Sequence, residues 1–182
     1  MKINSYVSGL VLGLFGMAFS ASGADVDAAL QAKIDAQVKI IQTWAADPVI
    51  VNAVKAQNAS PKPEYAAMTQ DKWKELSVLD PFVRAFTKNE AGQFLKSKKT
   101  DFVSEAFVSD ATGVKVGFLG KSSNWSHKGK PKHDVPMTGK TWRGAIEVDE
   151  SSGAQQLQVA VPVLDGEKPI GSLVVGLSTS KL

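Results

Sequence analysis

The chain has 182 residues, of which 43% are hydrophobic and 21% charged, enough to bury a core as one globular unit, and its formal charge of +3 is too small to imply a polyanionic partner. It contains no cysteine, which excludes a disulfide framework, a thiolate nucleophile and any Cys-ligated metal or haem.

Lys2 precedes an uncharged apolar run over residues 7–19, and the small residues 20–24 follow. This is the layout of a secretory signal peptide, and the run is shorter than the roughly 20 residues of a membrane span. Residues 1–24 are therefore expected to be removed near Ala24, leaving a periplasmic protein with no membrane span in its mature form. Loss of Lys2 leaves 20 basic against 18 acidic residues. Residues 25–182 are expected to form a single domain, helical over 25–100 and a sheet over 101–179.

From residue 25 to 46 the apolar positions Leu30, Ile34, Val38, Ile41 and Ala45 recur every three or four residues, which predicts a long amphipathic helix. Asp47-Pro48 ends it and starts a second, because the Asp carboxylate accepts from orphan amides and Pro suits the first helical position. That second helix should run over residues 49–57. Pro61 and Pro63 mark a linker, residues 69–76 a short helix burying Trp73 and Leu76. Asp80-Pro81 repeats the same start for a helix carrying Phe82, Val83 and Phe86, and residues 90–98 add a further turn or two. Trp44 and Trp73 are read as helix-packing residues.

Strands follow. Residues 102–110 and 114–119 flank the turn Asp110-Ala111-Thr112-Gly113, and further strands are predicted over 142–148, 156–163 and 170–177, the last two joined through Asp165-Gly166. Leu157, Val159, Val161 and Val163 alternate with Gln158, Ala160 and Pro162, so one face should be covered by the N-terminal helix while the other faces the long connection 120–139. Pro162 lacks an amide proton, so pairing should stop near it. Helices first and strands second give an α+β class.

The phrases "WAADPVIVNAV", "LDPFVRAF", "FVSEAFVSDATGVKVGFLGKSSNW", "GAIEVDESSG", "QLQVAVPVLDG" and "KPIGSLVVGL" occur in the order found in single Cache domains, also called PDC sensor domains, which the chain resembles over residues 26–177. That resemblance implies a PAS-like five-stranded antiparallel sheet packed by a long N-terminal helix, with a small-molecule pocket between the sheet and the segment joining its second and third strands. It also implies a signal-transduction role with a separate partner, a membrane receptor or kinase. Many members that bind amino acids or amines carry an Asp at the end of the last strand; this chain has Gly176-Leu177-Ser178 there instead.

Between Lys115 and Arg143 there are seven basic residues against Asp134 alone, together with both histidines, His127 and His133. A small organic anion such as a carboxylate is the ligand class this suggests. Arg143 offers a planar fork, Trp125 and Trp142 aromatic walls, and His133 and Lys121 further donors. The alternative is a solvated charged lid, with Trp142 in the core. His127, His133 and Asp134 do not have a recognised metal-ligand spacing, so no metal or other cofactor is expected. Nor is an enzyme, since nothing pairs a nucleophile with a positioned base. A different class of reading is a structural or interaction protein that forms a homodimer through the stripe from Leu30 to Ala45. Export argues against nucleic acid as a partner.

Overall fold

The computed structural model describes residues 27–148 and 155–182. The signal-peptide expectation lies outside them, as does the end of the "GAIEVDESSG" phrase. Six helices come first: α1 (Ala28–Ala45), α2 (Pro48–Ala59), α3 (Pro63–Ala66), α4 (Gln70–Glu75), α5 (Pro81–Lys88) and α6 (Glu90–Ser97). The proposed caps hold. Asp47 Oδ1 accepts from the Val49 amide at 2.9 Å and Asp80 Oδ1 from the Phe82 amide at 2.8 Å, with Pro48 and Pro81 each opening its helix. Asn89 serves twice, closing α5 and accepting from the Gly92 amide at 2.8 Å to start α6. The linker expected over residues 59–65 is shorter, because α2 runs to Ala59 and Pro63 starts the one-turn helix α3.

The sheet follows as β1 (Val103–Asp110), β2 (Lys115–Phe118), β3 (Trp142–Arg143), β4 (Glu147–Val148), β5 (Gln155–Asp165) and β6 (Lys168–Ser178). Between β2 and β3 lie the short helix α7 (Pro131–Asp134) and a 3₁₀ turn over Pro136–Thr138. The strand order is β2-β1-β6-β5-β3, with β4 also on β5, and every pairing is antiparallel. The class is α+β with an antiparallel sheet, as expected, but it has six strands rather than five. The single strand expected over 142–148 is two short pieces because Arg143 pairs with Val159 and Glu147 with Gln156, so four steps on one chain face three on the other. One extra residue breaks the ladder near Gly144.

Turn chemistry fixes both long hairpins. Asp110 Oδ1 accepts from the Thr112 amide, the Thr112 hydroxyl and the Val114 amide at 2.7–3.1 Å, and Gly113 takes φ 81°. Gly166 takes φ 61° between β5 and β6, where a Cβ would strain the backbone. Pairing does not stop at Pro162, which faces Ser172 in a β5–β6 ladder that runs on to Asp165; only on the other edge, where β3 reaches no further than Ala160, has pairing ended.

The sheet is buried on both faces. On the first, Leu157, Val159, Val161 and Val163 join Leu173, Val175 and Leu177 against Ile34, Val38, Ile41, Ala45, Ile50 and Val54 of α1 and α2. The α1 stripe is thus core: Ile41 is fully buried and Ala45 is 2% exposed. Dimerisation through that stripe loses its surface, since its apolar side chains are already spent on the sheet. On the second face Phe107, Phe118, Ala160 and Val174 pack with Trp73, Val83, Phe86 and Trp125. Trp44 belongs to the first cluster and Trp73 to the second, both packing as read from the sequence.

Trp73→Ala should cost about 3–5 kcal/mol, because it empties the middle of the aromatic cluster and leaves the Ser122 carbonyl without its 2.8 Å indole donor. Asp80→Ala should cost about 1 kcal/mol through the lost cap. Urea unfolding monitored by tryptophan fluorescence for Asp80→Ala, and by far-UV circular dichroism for Trp73→Ala, checks both; equal midpoints for Trp73→Ala and the parent would show that the cluster is not a core.

Candidate functional site

Alternation along the strands decides what the second face offers. Glu105, Phe107 and Ser109 of β1 share one side, and Gln156, Gln158 and Ala160 of β5 share it with Ser172, Val174 and Gly176 of β6. Around Phe107 and Phe118 this face is aromatic; around Glu105, Gln156 and Gln158 it is polar. A cleft of about 770 Å³ opens over the polar half, floored by Ser104, Glu105, Phe107, Gln156 and Gln158 and walled by residues 121–124, His127 and Lys132. It is the place that the loop length and the Cache resemblance both indicated.

The connection 120–139 is packed structure rather than a solvated lid. The Trp125 ring centroid lies 5.1 Å from Trp73, 5.6 Å from Tyr65, 5.7 Å from Phe86 and 5.8 Å from Phe82, and its amide donates to Gln70 Oε1 at 3.0 Å. Ser126 bridges Val114, and the His127 amide donates to the Gly113 carbonyl at 2.9 Å. Of its lysines, Lys128 and Lys130 point to water, as does Lys140 just after it, whereas Lys121 and Lys132 are half-buried at the cleft. The basic run is thus divided between lysines in water and lysines at the cleft.

In the cleft a short chain of polar contacts crosses the floor. Lys132 Nζ donates to Gln158 Oε1 at 2.6 Å, and Gln158 Nε2 donates to Glu105 Oε1. Lys121 Nζ stands 4.8 Å over the Trp73 ring. Burial holds the Lys132 amine below its ordinary range, against the pull of Glu105 and Glu147. Deeper in, Lys115 is fully buried, its Nζ 3.6 Å from the Phe107 ring centroid and in contact with His127 Nδ1. His127 stacks on Phe107 at 4.6 Å and 19°. Burial, then the nearby Lys115, push the His127 imidazole down to about 3, and burial pushes the Lys115 amine well below the usual lysine range.

The site residues expected from sequence do not converge. Lys121 lines the cleft. Arg143 does not: strand alternation turns it to the α1 side of the sheet, where it forms a 2.6 Å ion pair with Asp35 and draws that carboxyl below its ordinary range. Trp125 is 4% exposed and is a packing residue that seats the 120–139 segment. His133 is buried, its Nδ1 2.8 Å from Ser172 Oγ, and burial lowers its pKa. Trp142 is half-buried and lines a recess of about 40 Å³ that shares Gln156 and Gln158 with the main cleft. Among the described residues no group of three His, Asp or Glu side chains is placed to hold a metal ion, and no helix is long and apolar enough to cross a membrane. Sequence reasoning missed Glu105, Lys115, His127, Lys132 and Gln158 as a group. Gln158 was legible as a polar residue on the loop-facing side of β5; the burial of Lys115 left no local signature.

No family model matches the chain, and no curated protein matches it. Among solved structures it is similar to the ligand-binding domain of the Pseudomonas fluorescens chemoreceptor CtaA in complex with L-serine, at 15% identity and a TM-score of 0.44, over 84% of this chain and 54% of that one. It is similar to the Escherichia coli DcuS sensor domain at 17% identity and 0.44, over 84% of this chain and 94% of that one. A third is the ligand-binding domain of the Pseudomonas aeruginosa amino acid chemoreceptor PctC in complex with GABA, at 10% identity and 0.42, over 84% and 60%. The chain thus spans about half the length of the CtaA domain and nearly all of the DcuS domain.

A neutral, buried His127 makes stability pH-dependent. The unfolded chain protonates this imidazole near 6.5 while the folded chain resists protonation until about 3, so the unfolded state binds more protons between those values and stability falls as the pH drops through that window. His127→Phe should remove this contribution, flattening the acid limb by up to about 1.4 kcal/mol per pH unit. Urea midpoints for the two proteins from pH 7 to 4 provide the check, parallel curves being the contrary result.

Proposed function

We propose that the protein is a periplasmic sensor module of the Cache type that takes a small organic anion, such as a carboxylate, in the cleft between the second sheet face and the 120–139 segment, and acts with a separate membrane receptor or kinase. The observation that carries the ligand class is the charge at the cleft. Two lysine amines, Lys121 and Lys132, stand at its wall, while the carboxylate on its floor, Glu105, already accepts from Gln158. The ion pairs among the described residues are Lys55–Asp165 and Arg143–Asp35, so neither cleft lysine is neutralised by one. Lys132 in particular is half-buried with a neutral amide as its partner. A carboxylate there gains charge-assisted hydrogen bonds to an amine that has already lost part of its hydration.

The polar floor sets the scale of what fits. Ser104 donates to Gln156 Oε1 at 2.9 Å, so the far end is lined by fixed amide and hydroxyl groups suited to hydroxyl or second carboxyl groups of a small acid. Signalling then requires that the anion bind two arrangements of the module unequally, and the segment carrying Lys121, His127 and Lys132 is the element whose position the ligand can bias.

A thermal-shift screen of the purified protein at fixed salt, with acetate, lactate, pyruvate, malate and succinate beside amino acids, amines, purines and phosphate, tests the reading. A saturable rise in Tm from one or more carboxylates is expected, and Lys132→Met should weaken that binding by about tenfold or more. A shift from amines alone, or from nothing in the panel, would sink the anion reading.

A further inference from the structure

Lys115 is a buried lysine with no ion pair among the described residues. It opens β2 opposite Ser109, and the pairing is irregular between Val108 and Ser109, so Val116 is taken up as an extra residue while Lys115 stays on the second face beside Phe107. Its side chain is fully buried. A buried ammonium is ordinarily paired with a carboxylate, since an unpaired one costs several kcal/mol of lost hydration. Among the described residues Lys115 has no carboxylate within ion-pair distance; its amine rests on the Phe107 ring and against His127 Nδ1. Its cross-strand neighbour Ser109 has a buried hydroxyl with no hydrogen-bond partner, and Ser172, next across the sheet, is held by His133. The amine thus has an imidazole nitrogen but no anion beside it, and the Ser109 hydroxyl has no partner.

The residues that seal Lys115 from the cleft are themselves cleft residues, because both Phe107 and His127 line it. We propose that Lys115 is the buried counter-ion for the anion the cleft takes, and that binding a carboxylate is coupled to uptake of one proton by this amine. The proposal rests on the anion reading above and deepens it. In the free protein the amine and the imidazole share a hydrogen bond. A carboxylate entering beside His127 brings a negative charge into a low-dielectric site, and the balance R–COO⁻ + H⁺ + Lys–NH₂ gives R–COO⁻ paired with Lys–NH₃⁺, the proton coming from solvent.

The groups facing Lys115 agree with this sign. Glu105 of β1 favours the ammonium but is tied to Gln158; Lys132 of α7 disfavours it. His127 sits against it, with Lys130 and His133 among the charges acting on that imidazole. Asp110, next to Ser109 at the C-terminal end of β1, is occupied by Gln57, Thr112 and the Val114 amide. An incoming carboxylate is the missing element that makes the charged amine favourable.

Calorimetric titration of the purified protein with each of acetate and succinate, at matched pH in buffers of different ionisation enthalpy, reads the proton count. The expected result is an uptake approaching one proton per carboxylate, with affinity falling about tenfold per pH unit above the pH at which the free amine becomes neutral. Lys115→Met should raise the Tm of the free protein, by replacing a buried amine with a thioether of similar length, and should abolish both the proton uptake and the pH dependence. The ¹⁵N resonance of the Lys115 amine in the unaltered protein, recorded with and without acetate, gives the same answer without a variant: it should move from the neutral to the ammonium position. Carboxylate binding with no proton uptake and an unmoved resonance would overturn the role of Lys115 and leave the anion reading intact. Failure of both carboxylates to bind in the concentration range of the titration overturns this proposal together with the acetate and succinate arm of that reading.

Discussion

The constraint on which the rest of the structure depends is that β6 is hydrogen-bonded on both edges and covered on both faces. It pairs with β1 along Val103–Asp110 and with β5 along most of its length, and Leu173, Val174 and Val175 are all fully buried. A strand in that position cannot leave either face to water. The first face is closed by α1 and α2, whose apolar stripe matches the branched aliphatic rows of β5 and β6. The second has no long helix available, so it is closed by pieces: α4 and α5 over the aromatic half, and the 120–139 segment over the remainder.

That division of labour explains where the cleft is. The segment is pinned by Trp125, which reaches into the ring cluster of Tyr65, Trp73, Phe82 and Phe86, and by His133 on Ser172. Beside these anchors the segment walls a space above Glu105, Gln156 and Gln158 that it does not fill. Polar side chains on the floor are tolerable there because the space is open to water or ligand, whereas under the aromatic half they would be unpaired and costly. The cleft is therefore a consequence of closing a two-faced sheet with one helical layer and one irregular one.

The same arrangement creates the unusual electrostatics of the second face. Lysines from the 120–139 segment are half-buried where they reach the floor, and Lys115 is carried fully inside by the strand on which it lies. With His127 kept neutral by burial and by its amine neighbours, the region holds several nitrogen bases and a single floor carboxylate, Glu105. Burial makes such a region unfavourable for its own protonation.

The sequence by itself determined the class and most of the elements, but not α3, α7 or the split of the 142–148 strand. The Asp-Pro pairs, the i to i+4 apolar stripe of α1, the Asx turn at Asp110 and the Asp165-Gly166 hairpin each encode local geometry through hydrogen bonds and sterics within a few residues, and each stands in the structure. It also gave the assignment of Gln158 to the loop-facing side, since a period of two decides faces wherever one face is apolar. Only the tertiary structure decided which charges meet. Arg143 has the chemistry of an anion ligand, but a two-residue strand and its parity turn it to Asp35 on the far side of the sheet; Trp125 and His133 have suitable chemistry too and serve as anchors. Lys115, Glu105 and Lys132 lie as far as 27 residues apart along the chain and come together through strand register and the path of the 120–139 segment, which no local pattern records.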